Sequence, residues 1–297
     1  MNEVTTIDTN NFAAMSEAMG MGAESKKSSS KSSTLARLRI HHTPIMGEQE
    51  IAGKMKKVEV IAGGAYKLEI PDGETLYAEG VVLRPFLQRF MYKKFIKGNE
   101  NTANRFLKTV MANNLNSDMK DNEGGFNCGK PAGYIKDWAA LPDNMKDLIK
   151  SIKRVRALFG TVQLVGATDE KGNAVEVDAT PFIWEIDNRD AFKTMGDMFT
   201  KLEKMRRLPP QHNITLSTRE VPLPNGSSFF VPEAELDLST TLEMENEAQE
   251  VFASFIAWIA NYNTYILGAW DENMHKNEEV DMDTVEEFVD ITAEDFV

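Results

Sequence analysis

Val81-Val82-Leu83-Arg84-Pro85-Phe86-Leu87-Gln88-Arg89-Phe90-Met91-Tyr92-Lys93-Lys94-Phe95-Ile96-Lys97 decides how this chain is read. The run from Leu76 to Tyr92 reads as one long twisted strand, because β-branched and aromatic residues suit a pleated, half-buried surface. Between Arg84 and Lys97, five cationic and four aromatic side chains share fourteen residues. Single-stranded nucleic acid is held by cations that follow the phosphates and by aromatic faces on which bases stack, and both are interleaved here. A half-buried strand produces the same pattern if Phe86, Phe90 and Tyr92 enter a core while Arg84, Arg89 and Lys93 meet water. The candidate nucleic-acid contacts are Arg84, Phe86, Arg89, Phe90, Tyr92, Lys93, Lys94 and Lys97. Arg105, Lys130 and the mixture Tyr134, Lys136, Trp138 extend them, as do Arg154 and Arg156, alternate cations on one strand.

Upstream, Leu35 to Ile40, Val58 to Ile61 and Ala65 to Ile70 alternate with period two between Gly, Pro and Asp, which predicts closely spaced strands as in a small barrel. Downstream, Asn101 to Leu115 and Pro142 to Lys153 carry helical spacing. Arg154 to Val165 is a strand that Asp169 to Asn173 turns back toward Thr180 to Ile186. Asn188 is placed to cap a helix from Arg189 to Met205 with the stripe Phe192, Met195, Phe199 and Leu202, stopped by Pro209-Pro210. Two strands, His212 to Val221 and Ser227 to Leu236, flank Asn225-Gly226, a strong hairpin signal. Glu243 to Trp270 is the longest helical segment, with Phe252, Phe255, Ile256, Ile259, Tyr262 and Ile266 assigned to its packing face. Strands before and after central helices make the class α+β.

Charge divides the chain more sharply than its formal net of −13 suggests. Arg84 to Arg156 holds fifteen Lys/Arg against seven Asp/Glu, whereas Asp271 to Val297 holds eleven carboxylates against one lysine. A basic stretch joined to a polyanion suits a phosphate binder that carries its own competitor. Residues 1–33, rich in Ser and Lys, are too polar to offset their ordering entropy and read as a flexible leader. Residues 34–270 read as one nucleic-acid-binding body, and 271–297 as a disordered acidic tail. A single cysteine excludes an internal disulfide framework, and four dispersed histidines lack the spacing of metal ligands. Apolar runs such as Val251 to Ile259 are too short to span a bilayer, which leads to the expectation of a soluble cytoplasmic protein without membrane contact.

No catalytic set stands out. Gly124-Gly125-Phe126-Asn127-Cys128-Gly129-Lys130 fits the spacing of a nucleotide-binding loop, yet Pro131 stands where the magnesium-binding hydroxyl belongs, so the stretch reads as a Gly-rich surface loop. Cys128 has no histidine partner identifiable in the sequence, and acidic pairs such as Asp187/Asp190 carry no specificity in so acidic a chain.

Closely spaced strands, a basic-aromatic middle and an acidic tail with a near-terminal Phe resemble the single-stranded-DNA-binding proteins of tailed bacteriophages. The resemblance implies a small OB-like β-barrel over about 34–165, elaborated with helices, an extra strand–helix–hairpin unit and a packing helix over 166–270. It implies a protein that is not an enzyme, needs no cofactor, and works in the cytoplasm of a bacterial host. There it would protect single-stranded DNA during phage replication and recombination and recruit replication proteins through its tail, with Phe288, Glu294, Asp295 and Phe296 as the partner contacts. Self-association stays open. The alternative is a virion or assembly protein whose acidic tail and Ser-rich leader are docking arms.

Overall fold

The computed structural model describes residues 35–290 apart from 52–53, 72, 100–101, 132–134, 224–225 and 227, and describes no side chains for 49–51 or 276–290. The leader, Tyr134, and Glu294, Asp295 and Phe296 therefore lie outside the described residues, as does the side chain of Phe288. The elements run β1 (Ala36–Ile40), β2 (Ile45–Ile51), β3 (Lys54–Ile61), β4 (Tyr66–Glu69), β5 (Thr75–Ala78), β6 (Gly80–Ile96) and β7 (Arg105–Lys108). They continue with α1 (Asp143–Ser151), β8 (Ile152–Val165), β9 (Thr180–Ile186), α2 (Arg189–Lys204), β10 (Ile214–Pro222), β11 (Ser228–Leu236) and α3 (Asn246–Asp290). The class is α+β, with most of the core made by sheet.

β6 is the spine. Its 17 residues pair with β8 from Gly80↔Val165 to Lys94↔Ile152. Its other edge takes β10 at Val81 to Leu83 and β7 at Lys93 to Ile96. The sheet order is β11-β10-β6-β8-β9-β1-β4-β5, and β2-β3 form a separate hairpin. This corrects the expected barrel over 34–165 in two ways. β1 reaches β8 only through β9, so residues beyond 165 belong to the same sheet. No ladder among the described residues joins β5 to β11, so the path stays open; Tyr66 Oη donating to Ser217 O and Thr218 Oγ1 donating to Gly64 O tie the β4 side to β10 instead.

Two apolar layers cover the sheet. On one face Leu158, Trp184, Ile186 and Leu83 pack with Ala191, Met195, Phe199 and Leu202 of α2. That helix begins where expected, because Asn188 Oδ1 accepts from the backbone N–H of Asp190 and Ala191, two donors that the helix itself leaves unpaired. On the other face Met91, Val155, Ala157, Phe159 and Ile183 meet Phe255 and Ile259 of α3. Each large apolar side chain among them, withdrawn from water, contributes about 1.5–3 kcal/mol. The buried row of α3 is Phe255, Ile259, Ile266 and Trp270, whereas Phe252 and Ile256, expected on that face, point outward. The 100° step per residue puts 252 and 256 on the adjacent row, which nothing among the described residues covers.

The expected helix over Asn101 to Leu115 is absent. Arg105 to Lys108 instead adds to the free edge of β6, and the chain continues through isolated bridges such as Phe90↔Ala112 and Thr109↔Asp121. Helix α3 secures this irregular segment: Tyr262 Oη donates to Thr109 O, Asn263 bonds both the N–H and the carbonyl of Met111, and Trp270 Nε1 donates to Gly125 O. The glycine loop also differs from a surface loop. Asn127 and Cys128 are buried, and Asp121 accepts from the N–H groups of Glu123, Gly125 and Cys128. The α3 backbone runs on to Asp290, through the first twenty residues of the expected disordered tail.

The β6–β8 ladder carries an irregularity between Pro85 and Leu87, opposite Gly160. Proline has no N–H to donate and is tolerated in a central strand only at such a bulge. A Cβ on Gly160 would collide with the Arg84 carbonyl oxygen and come within 3.0 Å of Pro85 Cα. Both obstacles are backbone atoms that cannot swing aside. Gly160→Ala should therefore cost about 1–3 kcal/mol, read as a lowered urea midpoint at unchanged slope; an unaltered midpoint would show that the pinch is not a constraint.

Candidate nucleic-acid interface

Alternation along β6 sorts the expected contacts into three environments. Phe86 and Tyr92 are core residues, 4% and 3% exposed. Phe86 packs edge-on against Phe255, and Tyr92 Oη donates to Leu115 O. Arg84 is a structural clamp: its Nε donates to Pro210 O at 2.7 Å and its Nη2 to Glu243 O at 2.6 Å. These three are not available to a ligand. Arg89 is half-buried with Nη1 on Gln88 O, and Arg105 pairs with Glu123 at 2.6 Å. Lys97 is exposed and Lys94 half-buried. Lys136 and Trp138 are exposed on the segment before α1.

The second environment is a platform where β7 meets β6. Phe95 and Phe106 are directly opposed in register, their ring centroids 5.2 Å apart, and they are 50% and 46% exposed. Lys93 Nζ lies 4.6 Å from the Phe106 centroid and Lys108 Nζ 6.0 Å from it. Phe106, Lys93 and Lys108 also border a groove of about 440 Å³ with Arg37, Arg39 and His42. That groove opens because β1 pairs with β9 only at Ala36↔Phe182 and Arg37↔Ile183. Phe95, Phe106 and Lys108 were not among the expected contacts. Their signal is a cross-strand pairing, which emerges only once the register is known.

Glu185 sits between the two lysines, 3.0 Å from Lys93 and 3.6 Å from Lys108. Burial pushes its carboxyl up, but Lys108, Lys93 and Arg37 outweigh that and hold it below the usual carboxylate range. Lys108 is pulled below its ordinary value by burial, despite Glu185, because Lys93 and Arg37 also face it. One carboxylate thus serves several cations and leaves the platform positive.

The third environment lies on the opposite face, between α2 and the β6–β8 ribbon. A cleft of about 1080 Å³ gathers the expected Phe90, Arg154 and Arg156 with Phe192, Arg189, Lys193, Arg206 and Arg207, which the sequence reading left out. Arg156 is 7% exposed, 5.0 Å from the Phe90 centroid and 4.5 Å from that of Phe192. Its Nη1 donates to Gln88 Oε1, and its buried Nε has no acceptor. Burial lowers its pKa to about 10, so it remains cationic at neutral pH. Lys130 lies 5.4 Å from the Tyr92 ring and is electrostatically coupled to Arg154.

Among the described residues no group of acidic, His or Cys side chains could hold a metal ion, and no helix is long and apolar enough to cross a membrane. No family model, no curated protein and no solved structure matches this chain.

The Glu185 cluster has a pH signature. Because its folded pKa is depressed, its contribution is present above the unfolded value near 4.5 and is lost as pH falls through the lower folded value. Glu185→Gln should lower stability by about 1–3 kcal/mol at neutral pH, and the two stability curves should converge on acidification below pH 4 or so. Urea titrations across pH would show this; a constant gap at acid pH would show that the carboxylate's charge does not matter.

Proposed function

We propose that this chain is a single-stranded-DNA-binding protein serving phage replication or recombination in the cytoplasm of a bacterial host, and that it is not an enzyme. The observation that carries the reading is the pair of exposed rings, Phe95 and Phe106, set side by side on paired strands with two lysine ammoniums near the Phe106 ring. Half-exposed phenyl rings lose hydrophobic stabilisation unless a ligand covers them, and a nucleobase covers them without sequence preference. The lysines, together with Arg37 and Arg39 along the neighbouring groove, supply the phosphate contacts. Binding on an exposed sheet face takes the place of the barrel groove that the family resemblance implies. The acidic segment competes for the same cations and recruits replication proteins.

A second reading, a virion or assembly protein, is favoured by the outward row of α3, where Phe252, Ile256 and Leu267 are exposed and no charged residue stands between Glu250 and Asp271. It predicts an oligomer that does not retain DNA.

Fluorescence anisotropy on a labelled oligonucleotide separates the two. Phe95→Leu with Phe106→Leu keeps most of the apolar bulk but removes both stacking faces. The double variant should lose about 1–3 kcal/mol of affinity per stacked base with little change in melting temperature. Lys93→Ala should flatten the dependence of log K on log salt by about 0.7. Normal binding by a folded double variant would remove the platform from the interface.

For the acidic segment, the informative cut is after Lys276, because Asn273 Nδ2 donates to Asn122 O and belongs to the body. It removes nine carboxylates and no cation. A tethered polyanion acts at an effective concentration on the order of millimolar, so truncation should tighten DNA binding most at low salt, where screening is least. Unchanged affinity at low salt would leave the segment a docking arm only.

A further inference from the structure

We infer that the cleft between α2 and the β6–β8 ribbon is a binding pocket for a nucleotide that carries a terminal phosphate monoester. The inference goes beyond strand binding at the platform, since Phe90 and Phe95 project from opposite faces of β6.

It starts from Arg156, a guanidinium more than nine-tenths buried with no carboxylate in ion-pair range among the described residues. A buried charge without a counterion is costly, and chains keep one where something outside supplies the missing charge. The local structure is arranged to retain it. Gln88 accepts from one nitrogen, the rings of Phe90 and Phe192 stand against it, and Gly196 of α2 leaves room for Nη2, which would lie 2.6 Å from a Cβ at that position. The carboxylate that attracts it, Asp197, is itself paired with Lys193 at 2.8 Å. Around Arg156 the cleft adds Arg154, Arg189, Arg206 and Arg207, so six cations including Lys193 face three carboxylates.

The chemistry of the ligand follows. A planar guanidinium matches two phosphate oxygens at once, and a monoester near pH 7 carries close to two negative charges, which suits an excess of three positive ones. Phenyl rings beside the cation offer faces for a base. The volume, about 1080 Å³, takes a whole nucleotide. An internal phosphodiester must leave a site on both sides and stays along a surface, whereas an end can enter a cleft under a helix. The free mononucleotide and the phosphorylated end of a strand present the same group.

The test uses the full chain with 5′-phosphorylated and 5′-hydroxyl forms of one fluorescent oligothymidylate, and dTMP against thymidine by calorimetry. The phosphorylated member of at least one pair should bind about ten- to a hundredfold tighter, as expected for hydrogen bonds to a charged group. Preference in the dTMP pair identifies the free nucleotide, and preference confined to the oligonucleotide pair identifies the strand end. Arg156→Met should abolish the preference without lowering the melting temperature, because removing an uncompensated buried charge does not cost stability. Gly196→Ala should weaken it by crowding Arg156 Nη2 out of its position, without removing any cleft side chain. Phe95→Leu with Phe106→Leu should reduce both oligonucleotides equally and leave dTMP untouched, so failure at the platform is distinguishable from failure at the cleft. Equal affinity within both pairs, or a preference that survives Arg156→Met and Gly196→Ala, would overturn the inference.

Discussion

The antiparallel ladder of β6 on β8 is the constraint from which the rest of this structure follows. It spans the length of the sheet, both helical layers pack on it, and every basic-aromatic surface described above starts from one of its two strands. The ladder tolerates Pro85 only because Gly160 opposite has no side chain, so the bulge and the glycine are one feature shared by two strands. The bulge changes phase. Phe86, two residues from Arg84 and four from Phe90, belongs to the α3 side of the core with Leu87 and Met91, while Phe90 lines the cleft beneath α2.

The two faces handle positive charge differently. On the platform, Glu185 lies within ion-pair distance of two lysines and moderates a surface open to water. In the cleft, Arg156 is enclosed by aromatic rings and an amide, groups that solvate a cation without neutralising it. A moderated exposed surface suits weak, salt-dependent contact with a polymer. An enclosed unneutralised charge suits a small, strongly charged group.

Much of the fold was legible where the deciding interaction is local. The Asn188 cap, a helix inside the expected Pro142 to Lys153, the end of α2 ahead of Pro209-Pro210 and the antiparallel pairing of β10 with β11 depend on neighbours within a few residues, and each forms where expected. Asn101 to Leu115 was misread because its helical spacing competes with the free edge of β6, and a paired edge with α3 laid over it buries more than an isolated helix could. Sheet order was illegible for the same reason, as the parallel contact of β1 with β9 joins residues about 150 positions apart. The site followed suit. Phe90, Arg154 and Arg156 were visible in the basic-aromatic strands, but Phe192 looked like one member of a helical stripe, and only the tertiary fold turns it toward Arg156.

The acidic segment is the point at which local and global physics oppose each other. The α3 backbone continues to Asp290, yet Glu279, Asp283 and Glu287 stand four residues apart in succession, and like charges at that spacing destabilise a helix. Carboxylates near a helix C-terminus also oppose the macrodipole, so these last turns gain little from their own sequence. What favours them is continuity with the part of α3 anchored by Trp270 and Asn273. As a helix the stretch from 277 to 290 holds its charges about 20 Å along one axis, and unwinding is what would let it reach either basic face. Helix propagation and charge competition therefore draw on the same residues: the more firmly α3 extends, the less its carboxylates can screen the cations of the body.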